Sequence, residues 1–131
     1  MNGDPFNLQR FVEAQAGGVF ETALAELQAG QKQSHWMWFI FPQHRDLGRS
    51  PTAKYYGLGG DDEARAYAAH PLLGPRLRMA AEAILPHLKA GRSAASVMGP
   101  VDAFKLRSSM EMFAENMPNE PVYGEVLSAL S

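Results

Sequence analysis

Two short stretches gather side chains that could do chemistry. The first, Ser34-His35-Trp36-Met37-Trp38-Phe39-Ile40-Phe41-Pro42-Gln43, brackets two indoles with a hydroxyl, an imidazole and a carboxamide. Indole rings are platforms on which a nucleobase stacks for roughly 1–3 kcal/mol. On a helix, Trp38 lies about 200° round from Trp36, so at most one of them belongs in a core and the other is left to line a groove. Ser34, His35 and Gln43 are then the polar readers of a bound molecule. The plainer alternative is a core helix with an N-cap serine and a hydrogen-bonded histidine. The second stretch holds Asp102, Lys105, Ser108 and Ser109, of which residues 102, 105 and 109 share one helical face. Lys105, Ser108 and Ser109 could hold a phosphate by charge and hydroxyl donors. A Lys105–Ser109 pair would make a nucleophile only with the lysine desolvated, and no oxyanion hole is visible to serve it. The bland reading is a surface Asp–Lys pair with two idle serines.

Residues 44–60 add His44, Arg45, Arg49, Lys54, Tyr55 and Tyr56, in what reads as a long functional loop for a helical domain. Arg45 and Arg49 are further phosphate-holding candidates, although three cations neutralise too few phosphates for nucleic-acid binding. Histidine titrates nearest neutrality, which makes His35 and His70 the candidate general bases, with Lys105 as a third catalytic candidate. The histidines at 35, 44, 70 and 87 have no metal-ligand spacing, so the sequence calls for no metal and no cofactor. His70-Pro71-Leu72-Leu73-Gly74 also reads as a fixed turn that closes a helix. Gly57-Leu58-Gly59-Gly60 lacks the Lys-Ser/Thr of a phosphate loop and the strand of a dinucleotide fold.

The elements that must position these groups are helices. Asp4-Pro5 reads as a cap followed by proline at the first helical position. Val19, Phe20, Ala23, Leu24 and Leu27 form an apolar stripe ending at Gly30. Ser50-Pro51 and Asp61-Asp62 begin two more helices, the second closed by His70-Pro71. Leu73, Leu77, Ile84, Leu85 and Leu88 mark a longer helix ending at Gly91, kinked by Pro86. Asp102 can cap a helix bearing Phe104, Leu106, Met110 and Phe113, and Asn119 opens the last one with Val122, Tyr123, Val126 and Leu127. The block from Ser34 to Pro42 favours a strand locally, but no other segment alternates with period two to pair with it. We read it as a short buried helix capped by Ser34.

Composition agrees. At 131 residues there is room for one core only, and 46% hydrophobic with 20% charged residues is enough to fill it. The net charge of −2 supplies no positive field for nucleic acid. There are no cysteines, which excludes disulfides, thiolate metal sites and a cysteine nucleophile. The N-terminus shows no basic and apolar signal regions, and the longest apolar run, Trp36 to Phe41, is far short of a membrane span. The expectation is a soluble, cytoplasmic protein of bacterial type.

The stretches SHWMWFIFPQ (34–43), LGRSP (47–51), EARAYAAHPLLGPRL (63–77) and DAFKLRSSM (102–110) together resemble the bacterial domain-of-unknown-function family 1810, which automatic labelling sometimes miscalls calpastatin. The resemblance runs in order over nearly the whole chain. It implies an all-helical, orthogonal or short solenoid-like bundle and carries no established activity. The family usually has Thr-Leu where this chain has Glu111-Met112, and its members often continue past Ser131.

The reading is therefore a single all-α domain over residues 1–131, with the family-like core over about 4–131 and about six to seven helices. Its expected function is to bind or process a small phosphorylated, base-containing ligand of the nucleotide or ADP-ribose class. That ligand would contact Ser34, His35, Trp36, Trp38, Gln43, Arg45, Arg49, Lys105, Ser108 and Ser109. The ADP-ribose example is an analogy with other small helical domains. The alternative is a helical protein-interaction scaffold without catalysis, its aromatic block being simply core. Convergence of the polar groups in one pocket favours the first; scatter beside an exposed apolar groove favours the second.

Overall fold

The computed structural model describes residues 4–130 and is all-helical, with nine α-helices among them. Asp4 does begin the first of these, but from a distance. Its carboxylate accepts from the backbone N–H groups of Leu8 (2.6 Å) and Gln9 (2.9 Å), so α1 runs Gln9–Ala14 instead of starting at Pro5. These backbone donors hold the Asp4 carboxyl below its ordinary range. Helix α2 spans Val19–Ala29 and ends where Gly30 turns left-handed (φ 75°), letting its N–H close on Leu27.

The aromatic block is a loop around a single turn, α3 (Met37–Ile40). Ser34 does not cap it; the N-cap position is Trp36, with no side-chain capping bond. Residues 44–60 are also more ordered than a long loop. They contain a 3₁₀ turn at Arg45–Leu47 and α4 (Pro51–Tyr55), which Ser50 caps by accepting from the Ala53 N–H at 3.0 Å. A bridge between His44 and Leu58 closes the segment, with Arg45 N–H to Leu58 O at 2.8 Å and Leu58 N–H to Gln43 O at 2.9 Å.

Helix α5 (Asp61–Ala69) and α6 (Leu73–Lys89) follow, then α7 (Ala94–Met98), α8 (Pro100–Asn116) and α9 (Pro121–Leu130). Pro86 sits inside α6, which runs on to Lys89. Asp102 lies in the first turn of α8 behind Gly99 and Pro100, and α9 begins at Pro121, two residues after the expected cap. The count exceeds the expected six to seven because α3, α4 and α7 are fragments of four or five residues.

Helices α5 and α9 each pack on both long helices, α6 and α8, while α2 and α3 lie against α6 and α7 lies against α8. The core between them is apolar and aromatic: Phe11, Leu27, Trp36, Leu58, Tyr67, Leu77, Ile84, Leu106, Phe113 and Tyr123 are all essentially inaccessible. Tyr67 meets Phe11 edge-on at 4.9 Å, and Phe113 lies 5.7 Å from Tyr123. No helix among the described residues is long and apolar enough to cross a membrane.

One buried ion pair fastens the N-terminus to this core. Arg10 donates to the Glu63 carboxylate at 2.8 Å and to the carbonyls of Phe6, Asn7, Tyr55 and Gly57, so every face of its guanidinium is used. Glu63 takes a further bond from the Gly59 N–H. A charge pair this deeply buried is tolerable only with such complete hydrogen bonding.

Candidate functional site

The residue that organises the aromatic block is one the sequence reading missed. Glu26, on the face of α2 beside Ala23 and Leu27, projects its carboxylate into the loop that precedes α3. One oxygen accepts from the backbone N–H of Gln33 (2.8 Å) and Ser34 (2.9 Å) and from the Trp36 indole N–H (2.9 Å). The other accepts from the Ser34 hydroxyl at 2.6 Å. Burial opposes ionisation of Glu26, but these four donors outweigh it and hold the carboxyl down to about 2. Ser34 is thus a donor to Glu26, and Trp36 is the core indole of the pair, 1% exposed.

Lys32 was missed as well. Its ammonium donates to the Ser34 carbonyl (2.6 Å), pairs with Asp102 (3.0 Å) and lies 4.8 Å from the centre of the Trp36 ring. Asp102 also meets Lys105 at 3.7 Å, and Lys105 sits 5.2 Å from the centre of the half-buried Trp38 ring. The two motifs do meet, as a chain of alternating charges and rings from Trp36 through Lys32, Asp102 and Lys105 to Trp38. That chain locks the loop to α8. Lys105 makes no hydrogen bond to Ser109, whose hydroxyl is fully buried without a partner, so the pair is not an activated nucleophile. Ser108 is half-buried on the same helix.

The open space lies on the other side of the block. A cleft of about 390 Å³ is lined by Ser34, His35, Trp36 and Phe39 from the block and by Gly17, Gly18, Val19 and Thr22 at the start of α2. Gly17 and Gly18 both have positive φ, 67° and 87°, which turns the backbone sharply into the helix. His35 is exposed at this cleft, while Trp36 contributes wall with its N–H already taken by Glu26.

The other expected contacts lie elsewhere. Arg45 borders a separate polar cleft with Asp61, Asp62 and Arg65, 3.8 Å from Glu63. Arg49 is exposed near α4, and Gln43 is half-buried, engaged through its backbone carbonyl with Leu58. His70 is a turn residue: its Nδ1 accepts from the N–H groups of Leu72 and Leu73 at 3.1 and 3.2 Å, starting α6. Three of the ten expected ligand contacts therefore share one cleft, and the phosphate-holding cations are not among them. Among the described residues, no group of His, Asp and Glu could hold a metal ion.

Buried Gln15 ties the end of α3 to the core, donating to the Phe39 carbonyl (2.8 Å) and accepting from Arg76 (3.2 Å). It also holds the Tyr67 hydroxyl, which burial pushes upward in pKa.

The family model described as Protein of unknown function (DUF1810) matches residues 5–130. The chain belongs to the DUF1810 family. Among solved structures, this DUF1810 chain is similar to the crystal structure of the conserved hypothetical protein Rv1873 from Mycobacterium tuberculosis. The two are 46% identical with a TM-score of 0.90, over 95% of this chain and 87% of that one. No curated protein matches the chain.

Proposed function

We propose that this DUF1810 protein binds a small phosphorylated, base-containing ligand, of the nucleotide or ADP-ribose class, in the cleft between α2 and the Ser34–Phe39 block. The observation that carries this is the meeting of Ser34, His35 and Trp36 with the first turn of α2 around one cavity. The N-terminal end of α2 brings partial positive charge to the cleft, which suits a phosphate, while its Val19 and Phe20 N–H groups already bond the carbonyls of Ala16 and Gln15 and Glu21 stands in the first turn. His35 supplies a ring nitrogen to the same ligand, and Phe39 with the edge of Trp36 supplies apolar contact for the base. A volume of about 390 Å³ lies within the ordinary range for small-molecule sites. Were the bound molecule turned over, His35 is the candidate base inside the cleft.

The test is a thermal-shift titration with ADP-ribose, NAD, ATP and GTP on the wild type and on His35→Ala. A ligand at about 100 times its Kd adds roughly 2.7 kcal/mol, a shift of several degrees. A saturable shift that is lost in His35→Ala supports the reading, and a flat panel on a well-folded wild type sinks it. The second reading, a helical protein-interaction scaffold, is favoured by the placement of the other seven expected contacts outside that cleft and by the exposure of Val101 and Phe104 at the start of α8, 67% and 77%.

A further inference from the structure

Phe104 and Val101, one helical turn apart near the start of α8, are the two most exposed large apolar side chains among the described residues, and Phe104 lines a groove. The groove, about 320 Å³, runs between α7, α8 and the end of α9, and Ala94, Ala95, Ala103, Ala129 and Phe104 are among the residues that line it. The small alanine side chains in this lining leave room for another protein's side chains. Among the described residues, the charged ones lining it are Arg92 and Arg107. Arg92 donates to the carbonyls of Gly30 (2.9 Å) and Ser96 (3.3 Å), and Arg107 to that of Leu130 (3.4 Å). Neither guanidinium has a carboxylate within ion-pair distance among the described residues, unlike Arg10, Arg45, Arg65, Arg76 and Arg78.

We infer that this groove docks an amphipathic helix of another protein, one that lays apolar side chains along Phe104 and carries carboxylates to Arg92 and Arg107. The inference rests on the scaffold reading and names its partner's chemistry. Helix-in-groove recognition lays the apolar face of an amphipathic helix into an apolar trough, and a guanidinium fork beside that trough matches a carboxylate in two bonds. A second copy of this chain fits poorly, because a two-fold pairing would bring the arginines of both copies around one apolar seam.

The experiment uses the full chain with two labelled helical peptides that share one apolar face, flanked by Glu in one and by Lys in the other. Fluorescence anisotropy should show the Glu peptide binding about tenfold or more tightly than the Lys peptide. Arg107→Glu should reverse that order, and Phe104→Asp should abolish both without lowering Tm, since Phe104 is 77% exposed. Equal binding of the two peptides, unmoved by Arg107→Glu, overturns the acidic partner and leaves the scaffold reading standing. Binding of neither peptide overturns both. A dimer in sedimentation that Phe104→Asp dissolves overturns the inference in favour of self-association.

Discussion

Glu26 gathers four donors on one carboxylate, and its loss should be felt throughout the aromatic block. Glu26→Gln can keep its Oε1 on the three N–H donors and turn its NH₂ to the Ser34 hydroxyl, but it loses the charge that strengthens all four bonds and should cost about 1–2 kcal/mol in urea denaturation at neutral pH. Because folding lowers this carboxyl from 4.5 to about 2, the stability it contributes is complete above pH 4.5 and drains away as pH falls toward 2. The wild type should therefore lose stability more steeply than Glu26→Gln across that window; parallel curves would remove Glu26 from its assigned place. Ser109 is the opposite case. Its hydroxyl is buried without a partner, so Ser109→Ala should leave stability unchanged or raise it by about 1 kcal/mol, read as the shift in the urea midpoint. Neither role was legible in sequence: Ser109 stood among the candidate phosphate contacts, and Glu26 was not singled out. Glu26 lies eight positions before the serine it binds, and spacing along a chain says nothing of a partner across a loop. Ser34 looked like a cap because a serine before an apolar run usually is one. The alternation of indoles, by contrast, was legible, since a helical turn cannot bury both Trp36 and Trp38 on one side.

Longer elements announce themselves, as α2, α5, α6, α8 and α9 did, because two or more turns repeat an apolar stripe often enough to be seen. Single turns such as α3 and α7 carry no period, and α3 forms where Glu26, Lys32 and Gln15 hold its ends. The corner between α5 and α6 combines legible and hidden parts. His70-Pro71 marked the break, but the role of Gly74 shows only in three dimensions, where a Cβ would run into the Ala68 carbonyl. Gly74→Ala should force the two helices apart and cost about 1–3 kcal/mol, measurable as a lower Tm. Substitution at Met79, exposed on the same long helix, should change Tm little.

The whole chain divides its work between two faces. The cleft at α2 and the groove at α7–α9 share no lining residue, so His35→Ala and Phe104→Asp should act independently and their effects add. The class of fold was readable because so much of the chain is periodic and none of it alternates. The location of the candidate cleft was only half readable. The block was chosen for its residue types, whereas its facing wall of Gly17, Gly18, Val19 and Thr22 carries nothing chemically conspicuous in its side chains. A chain cut before Pro121 should lose cooperative unfolding altogether, seen as a broad calorimetric trace. Burying Val122, Tyr123 and Val126 contributes roughly 1.5–3 kcal/mol each, comparable in sum to the stability of a domain this size.

The placement of α9 against both α6 and α8 also sets an order of events during synthesis. Helix α9 is one of the two that span the long pair and is translated after both α6 and α8, so the nascent polypeptide cannot complete this core while α9 is still inside the ribosomal exit tunnel. Until α9 emerges, the apolar faces of α6 and α8 that it will cover stay open to chaperones and to neighbouring chains, and the yield of folded protein depends on how quickly that helix follows the pair it closes.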